Sequence, residues 1–475
     1  MNCTDLFSEV EPGCRDKVAV WLPTGKQATY GELREIARRT EKLMRDKGLR
    51  PGDNVLLFDH LGPSLYGALL GLMGMGVGVA LVEPWMPVAK INHVIPSVKP
   101  KAFLTNSLGK IWGSRVGAIR GIPHWINTKE IHRTSMAAVN TESVDPQSPA
   151  IITFTSGTTG NPKGMVRSHQ YLVDQHRILS HSLHSDNQAS EPAGADLCIF
   201  ANFVLSNLAS GRSSVVMPPQ WRPEYFKAID LLPNSLQPVS LTCGPAFLLK
   251  LMELGKATSL KSVHVGGALT DCWIFEKAFG IWKDTDWTHL YGSTEAEPVA
   301  TACAKEAVKK SRQAGYFQTL FLGQPIAEIQ SQLEPDTVWI TGPHVCPKYL
   351  ANDEENRKCK RQDETGQVWH RMGDRITSND GWWYSGRENQ PKEEFDLEQK
   401  VYQTIKSSAA FLHRTESGSI HLYAETQSAF SAPIKSEFPQ IEKFISTKIR
   451  RDRRHRARID RKKSLRRPLW NQLVG

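Results

Sequence analysis

Short apolar runs recur along the chain, and most end in Gly, Ser, Thr or Pro. VLLF at 55–58, ALVEP at 80–84, KAFLTN at 101–106, AIITFTS at 150–156 and CIFANF at 198–203 are of this kind. So are SSVVMPP at 213–219, VSLTCG at 239–244, SVHVGG at 262–267 and THLYGS at 288–293. Runs of this length bounded by turn formers predict buried strands. Segments with helical spacing separate several of them. In the one starting at Tyr30, Leu33, Ile36, Ala37 and Leu43 form a stripe, which the turn-forming residues from Gly48 to Asp53 interrupt. Alternating strands and helices predict α/β layers with mostly parallel strands, and such sheets bind ligands at the carboxyl ends of their strands. ITFTSGTTG, SVHVGGA and THLYGSTE put small polar residues at those ends.

One segment imitates a membrane span. Leu65 to Val82 carries no charge and is long enough to cross a bilayer. Its glycines at 67, 71, 74, 76 and 78 suit instead a tightly packed helix that turns into a buried strand, VGVALVEP. The N-terminus, MNCTDLFSEVEPG, lacks the basic and apolar regions of a signal peptide, so a cytoplasmic protein is expected. The eight cysteines form no CxxC pair, which argues against a zinc or disulfide framework and for reduced, mostly buried thiols.

Charge changes the picture at one end only. Lys448 to Arg467 holds twelve Lys or Arg and two Asp, a net +10 that equals the net charge of the whole chain. Such a segment can dock an acidic acyl carrier protein or an anionic membrane surface; no nucleic-acid-binding motif accompanies it, and nucleic acid is not an expected partner. After about Gly386 aromatics thin out and charge rises. This predicts a large domain over 1–386 and a small domain over 387–475.

The densest polar motif is TFTSGTTGNPKG, from Thr153 to Gly164. It is not a P-loop, because Lys163 follows a proline and precedes a glycine. It still has what phosphate binding needs. Gly157, Gly160 and Gly164 let backbone approach a polyanion, Thr155, Ser156, Thr158 and Thr159 offer hydroxyls, and Lys163 offers charge. By themselves, Glu295 and Asp374 read as surface carboxylates.

TSGTTGNPKG resembles the signature of the adenylate-forming superfamily of acyl-CoA synthetases, luciferases and peptide-synthetase adenylation domains. Further matches follow in the expected order: GDNV at 52–55, GGA at 266–268, YGSTEAEP at 291–298, ITGPHVCPKYL at 340–350 and MGDRITSNDGWWYSGR at 372–387. The resemblance implies an α/β fold with a large domain of layered sheets and helices and a small α+β lid. It implies activation of a carboxylic acid, fatty or β-hydroxy fatty, by attack on the α-phosphate of ATP, with Mg²⁺ as cofactor. CoA, a carrier protein or the acid's own hydroxyl would accept the acyl group. Glu295 would bind Mg²⁺, Thr294 the α-phosphate, and Lys163 together with Thr155, Ser156, Gly157, Thr158, Thr159 and Gly160 the phosphates. Tyr291, with Gly292 and Ser293 beside it, and the backbone of Gly266, Gly267 and Ala268 would meet adenine, and Asp374 and Arg387 the ribose.

YGSTEAEPVA, FANFVLSNLASGRSSVVMPP at 200–219 and DRRHRARIDR at 452–461 are similar to the β-lactone synthetases of bacterial olefin biosynthesis. Three departures from the superfamily pattern stand beside this. Arg458 occupies the position of the C-terminal lysine that reaches the carboxylate and α-phosphate. Met372 replaces a Thr or Ser. A Gly-containing loop after GRENQ is missing, which puts thioester formation in question. Two alternatives follow: a β-lactone synthetase that closes its ring without CoA, and a weakened nucleotide- or acyl-binding protein. His169, His176, His181 and His184 read as a helix surface and not as a metal site, with His169 near enough to the phosphate loop to face the acyl site.

Overall fold

The structure is a computed structural model that describes residues 1–83, 85–135, 141–155, 162–183, 194–255, 257, 259–350, 352–425, 432–451 and 459–465. The chain divides into two compact units. The first comprises Met1–Leu241, Thr294–Glu297 and Ile340–Arg371; the second comprises Thr242–Ser293, Pro298–Trp339 and Met372–Gly475.

The first unit is built on a seven-stranded sheet. Its order is Tyr349–Leu350, Lys163–Ser168, Pro149–Thr155, Gly78–Leu81, Asn54–Phe58, Ala102–Thr105 and His124–Asn127. The last five run parallel, as the alternation of apolar runs and helices predicts; the other two pair antiparallel. Leu56, Ala80, Phe103 and Ile152 point from this sheet onto Ile91, Val94, Ile95 and Val98 of the helix Val88–Val98.

The striped segment from Tyr30 forms the helix Tyr30–Asp46, opened by a capping box between Thr29 and Glu32. Capping satisfies amides that have no partner in the first turn. Gly48, at φ +80°, ends it. The apolar segment from Leu65 folds as the helix Pro63–Gly74 followed by the strand Gly78–Leu81. A Cβ at Gly71 would stand 2.3 Å from the carbonyl oxygen of Ala37, and one at Gly67 2.4 Å from the Ile36 side chain. The glycines therefore serve close helix packing. Among the described residues no helix is long and apolar enough to cross a membrane.

One expectation fails. CIFANF is not a strand: the strand is Ala195–Cys198, and Ala201–Ala209 is a helix. Phe203, Val204, Asn207 and Leu208 are its buried positions, a helical spacing that an unbroken apolar run conceals.

In the second unit Ser262–Val265 pairs parallel with Asp286–Ser293. Phe321–Pro325 pairs antiparallel with Trp382–Arg387, which pairs antiparallel with Asp374–Ser378. Residues after 391 form the helix Lys392–Ile405 and a sheet of Ala410–Arg414, Ile420–Ala424 and Ile441–Ser446. Leu397, Val401, Ile405, Leu412 and Leu422 share their core with Phe317.

Candidate active site

The polar end of the first unit gathers around Tyr349. The strand Lys163–Ser168 alternates sides at a period of two, so Lys163, Met165 and Arg167 share a face. Met165 packs against Cys346 and Tyr349. Lys163 is ion-paired with Glu355, and its ammonium stands 5.0 Å from the centre of the Tyr349 ring. Arg167 donates to Thr153 Oγ1 at 2.8 Å and to the Thr294 carbonyl at 3.1 Å. The Tyr349 hydroxyl donates to Glu295 Oε1 at 2.8 Å, and the Cys346 amide donates to the Glu295 carbonyl at 2.7 Å. Lys360 donates to the Cys346 carbonyl and also lies 5.0 Å from the Tyr349 ring.

The electrostatics of this cluster favour an ionised Glu295. Burial disfavours its charge, but His370, the Tyr349 hydroxyl and the Lys360 ammonium together hold the carboxyl below the usual range. Burial, and then Lys360, push the His370 ring down in turn. Burial and Glu295 push the Tyr349 phenol far up, which keeps it a donor. Burial also lowers Lys360.

Mg²⁺ takes oxygen ligands, and is commonly held by one or two carboxylates together with substrate phosphates. Glu295, a partly exposed and ionised carboxylate, fits that role. Among the described residues no group of three His, Cys, Asp or Glu could hold a metal.

A second cluster lies in the second unit. Tyr291 donates to Asp374 Oδ2 at 2.8 Å, and Arg387 Nη1 stands 2.9 Å from Asp374 Oδ1. Asp374 is 6 % exposed, and its Oδ1 accepts no hydrogen bond despite the nearby guanidinium. The Tyr291 ring meets Trp382 edge-on, with centroids 6.5 Å apart. Gly267 adopts φ +79°, and a Cβ at Gly266 would stand 2.9 Å from Leu290 Cβ and O, so the GGA loop follows its neighbouring strand closely. Ser293 Oγ donates to the Met372 sulfur at 3.7 Å.

The family model for "AMP-binding enzyme" matches residues 7–371. The chain belongs to the AMP-binding enzyme family. It is 29 % identical over 214 residues to the hybrid PKS-NRPS synthetase xenE of Xenoacremonium sinensis; the match covers 44 % of this chain and 5 % of that protein. The chain therefore spans only about a twentieth of the length of that curated relative. Among solved structures it is similar to the anthranilate CoA ligase AuaEII in complex with anthranoyl-AMP, with a TM-score of 0.79, 14 % identity and coverage of 98 % of this chain and 96 % of the other. It is also similar to O-succinylbenzoate coenzyme A synthetase (MenE) from Bacillus subtilis in complex with AMP, at 0.76, 16 %, 95 % and 96 %. The fold is that of the adenylate-forming enzymes.

The structure brings Lys163, Thr294 and Glu295 together in one unit, and Tyr291, Asp374 and Arg387 in the other. Thr155 ends the strand Pro149–Thr155. Ser156, Gly157, Thr158, Thr159 and Gly160 lie outside the described residues, as does Arg458. The histidines are not all on a helix surface. His169 is fully buried and accepts from the Cys3 amide at 3.2 Å, and His176 pairs with Ser206 at 2.9 Å; His184 lies outside the described residues. Arg167, Tyr349, Glu355, Lys360 and His370 went unnoticed as site residues. Tyr349 stood within a matched motif, and Arg167 follows Lys163 by four on the same strand face; the other three carry no local signal.

Proposed function

We propose that the protein activates a carboxylic acid with ATP and Mg²⁺ to an acyl-AMP, releasing pyrophosphate. A carboxylate oxygen of the acid attacks the α-phosphorus, the bond from that phosphorus to the bridging oxygen of the β-phosphate breaks, and pyrophosphate carries away the electron pair. No protein group needs to form a covalent bond; the barrier falls through placement and charge stabilisation. The observation that supports this best is Glu295, held ionised and oriented by Tyr349 in the same cluster as Lys163. Mg²⁺ bound there would neutralise phosphate oxygens. Lys163, with Thr155, Ser156, Gly157, Thr158, Thr159 and Gly160, would hold the leaving pyrophosphate portion, and Thr294 would donate to the α-phosphate. Asp374 Oδ1 would accept from a ribose hydroxyl, with Arg387 beside it, and Tyr291, Gly292, Ser293 and the Gly266–Ala268 loop would border adenine. Arg458 would supply positive charge to the same reaction.

The acid is a fatty or β-hydroxy fatty acid in this reading, which rests on the branch motifs. The acceptor is CoA, an acyl carrier protein docked on the basic C-terminal segment, or the acid's own hydroxyl. One observation favours the last: the helix Lys392–Ile405 begins five residues after Arg387, which leaves no room there for a Gly-containing loop.

The test is pyrophosphate release from ATP and Mg²⁺ with fatty, 3-hydroxy fatty, aryl and amino acids, each with and without CoA. Release with 3-hydroxy acids that ignores CoA supports ring closure, and release that requires CoA supports thioester formation. No release with any acid, from protein that binds ATP, would sink the ligase reading and leave the nucleotide-binding one.

A further inference from the structure

Lys163 has a resident partner. It is ion-paired with Glu355, and the two side chains are only 12 % and 6 % exposed. Glu355 sits in the first turn of the helix Asp353–Cys359, and its amide donates to the Asn352 side chain that caps this helix. The cap fixes the start of the helix and thereby the backbone from which the carboxylate reaches the lysine. The Cys359 sulfur, one turn later, lies 3.8 Å from Glu355 Oε2.

Among the described residues, two ammoniums and two carboxylates lie around Tyr349. Lys163 and Lys360 flank the ring at 5.0 Å each; Glu355 pairs with the first, and Glu295 accepts from the ring's hydroxyl. Lys360 is the lysine whose charge holds the Glu295 carboxyl down, whereas Lys163 is ion-paired with Glu355. Lys163 and Glu355 thus answer chiefly to each other. Taking one member from a buried ion pair leaves the other buried and uncompensated. An entering polyphosphate that engages Lys163 meets an ammonium already paired with the Glu355 carboxylate.

We propose that Glu355 is a positioning residue that holds Lys163 in the nucleotide-free protein and competes with the triphosphate for it. ATP binding exchanges the carboxylate for a phosphate oxygen on the lysine, and the strength of the pair sets how tightly ATP, but not AMP, is held. The inference rests on reading Lys163 as a phosphate-binding group; AMP, which lacks the outer phosphates, serves to separate the two.

The experiment is calorimetric titration of the full chain with ATP and with AMP, without acid substrate. Glu355→Gln is expected to bind ATP about tenfold more tightly, a usual size for coupling between two groups, and AMP as the parent does. In a Lys163→Ala background, Glu355→Gln is expected to change neither affinity, an outcome that a merely structural role would not produce. Unchanged or weaker ATP binding by folded Glu355→Gln, with AMP binding intact, would overturn the inference while leaving the nucleotide site standing. If Glu355→Gln does not fold, Glu355→Asp keeps the charge and withdraws it by one methylene. It is then expected to tighten ATP by a smaller factor, and unchanged ATP affinity in that variant would equally overturn the inference. Loss of both nucleotides from the parent chain would overturn the nucleotide reading and this inference with it.

Discussion

The Tyr349 hydroxyl donates a 2.8 Å hydrogen bond to Glu295 Oε1. The donor is a phenol kept protonated by burial, and the acceptor is the carboxylate that would meet Mg²⁺. Groups that orient a metal-binding carboxylate commonly cost about 10- to 100-fold in metal affinity or activity when removed. Tyr349→Phe is therefore expected to lower kcat by about that factor, and to raise the Mg²⁺ concentration needed for half-maximal pyrophosphate release. AMP affinity should stay within about twofold, because Asp374 and Arg387 carry it in this reading. A Mg²⁺ titration of pyrophosphate release, beside an AMP titration, separates the two; an unchanged Mg²⁺ requirement would remove Tyr349 from the site.

Gly71→Ala tests the close packing of the helices Tyr30–Asp46 and Pro63–Gly74. The added methyl would stand 2.3 Å from the Ala37 carbonyl oxygen, backbone that cannot swing aside as a side chain would. Overpacking of this kind costs about 1–3 kcal/mol, and more where backbone must move. The urea midpoint should fall with an unchanged slope. Gly13→Ala, inside the helix Asp5–Cys14 where a Cβ meets nothing within 4 Å, is the control and should not lower the midpoint but raise it slightly.

Much of this frame was readable because its determinants are local. The Leu33–Ile36–Ala37 stripe, the Thr29–Glu32 capping box and the glycines of Leu65–Val82 each act through neighbours a few residues away. Lys163, Glu295, Tyr291, Asp374 and Arg387 became candidates because they stand in motifs of fixed spacing. Glu355, Lys360 and His370 did not, because a charged or polar residue outside a motif reads as a solvated surface group. Only the fold reveals that Glu355 and Lys163, 192 positions apart by their numbers, form a nearly buried pair. CIFANF misled for a related reason: an unbroken apolar run has no period, and only its partners decide between strand and helix.

Two buried histidines predict how stability responds to acid. Burial pushes His289 down to about 4, although its Nδ1 faces the Phe321 carbonyl at 3.1 Å; burial, then the N-terminal ammonium, pushes His169 down to about 4 as well. In the unfolded chain each titrates near its ordinary value of about 6.5. Below that value the unfolded state binds protons that the folded state refuses, so stability is full above about pH 6.5 and falls as pH drops toward about 4. Each residue contributes up to roughly 3 kcal/mol of that loss. Urea unfolding across this window should show the decline, and His289→Asn should flatten it by about one proton's worth of slope, near 1.4 kcal/mol per pH unit. A variant that declines as steeply as the parent would show that His289 is not neutral when folded.

Asp374 offers the cleanest test of the nucleotide side. Its Oδ2 accepts from Tyr291 at 2.8 Å, and its buried Oδ1, ion-paired with Arg387 at 2.9 Å, is the oxygen that a ribose hydroxyl would meet in this reading. A hydrogen bond to a charged group contributes about 1.5–3 kcal/mol. Asp374→Ala is thus expected to raise the Kd for AMP by about 10- to 100-fold, and the Kd for ATP by the same factor, because the two share the ribose. That parallel shift contrasts with Glu355→Gln, where only ATP should respond. Tyr291→Phe removes one donor to Asp374 and should weaken both nucleotides by a smaller factor, about fivefold. The fold should survive Asp374→Ala, because the Arg387 side chain left behind is 43 % exposed and water can take the place of its partner. Equal AMP affinity in the parent and a folded Asp374→Ala would place the ribose elsewhere.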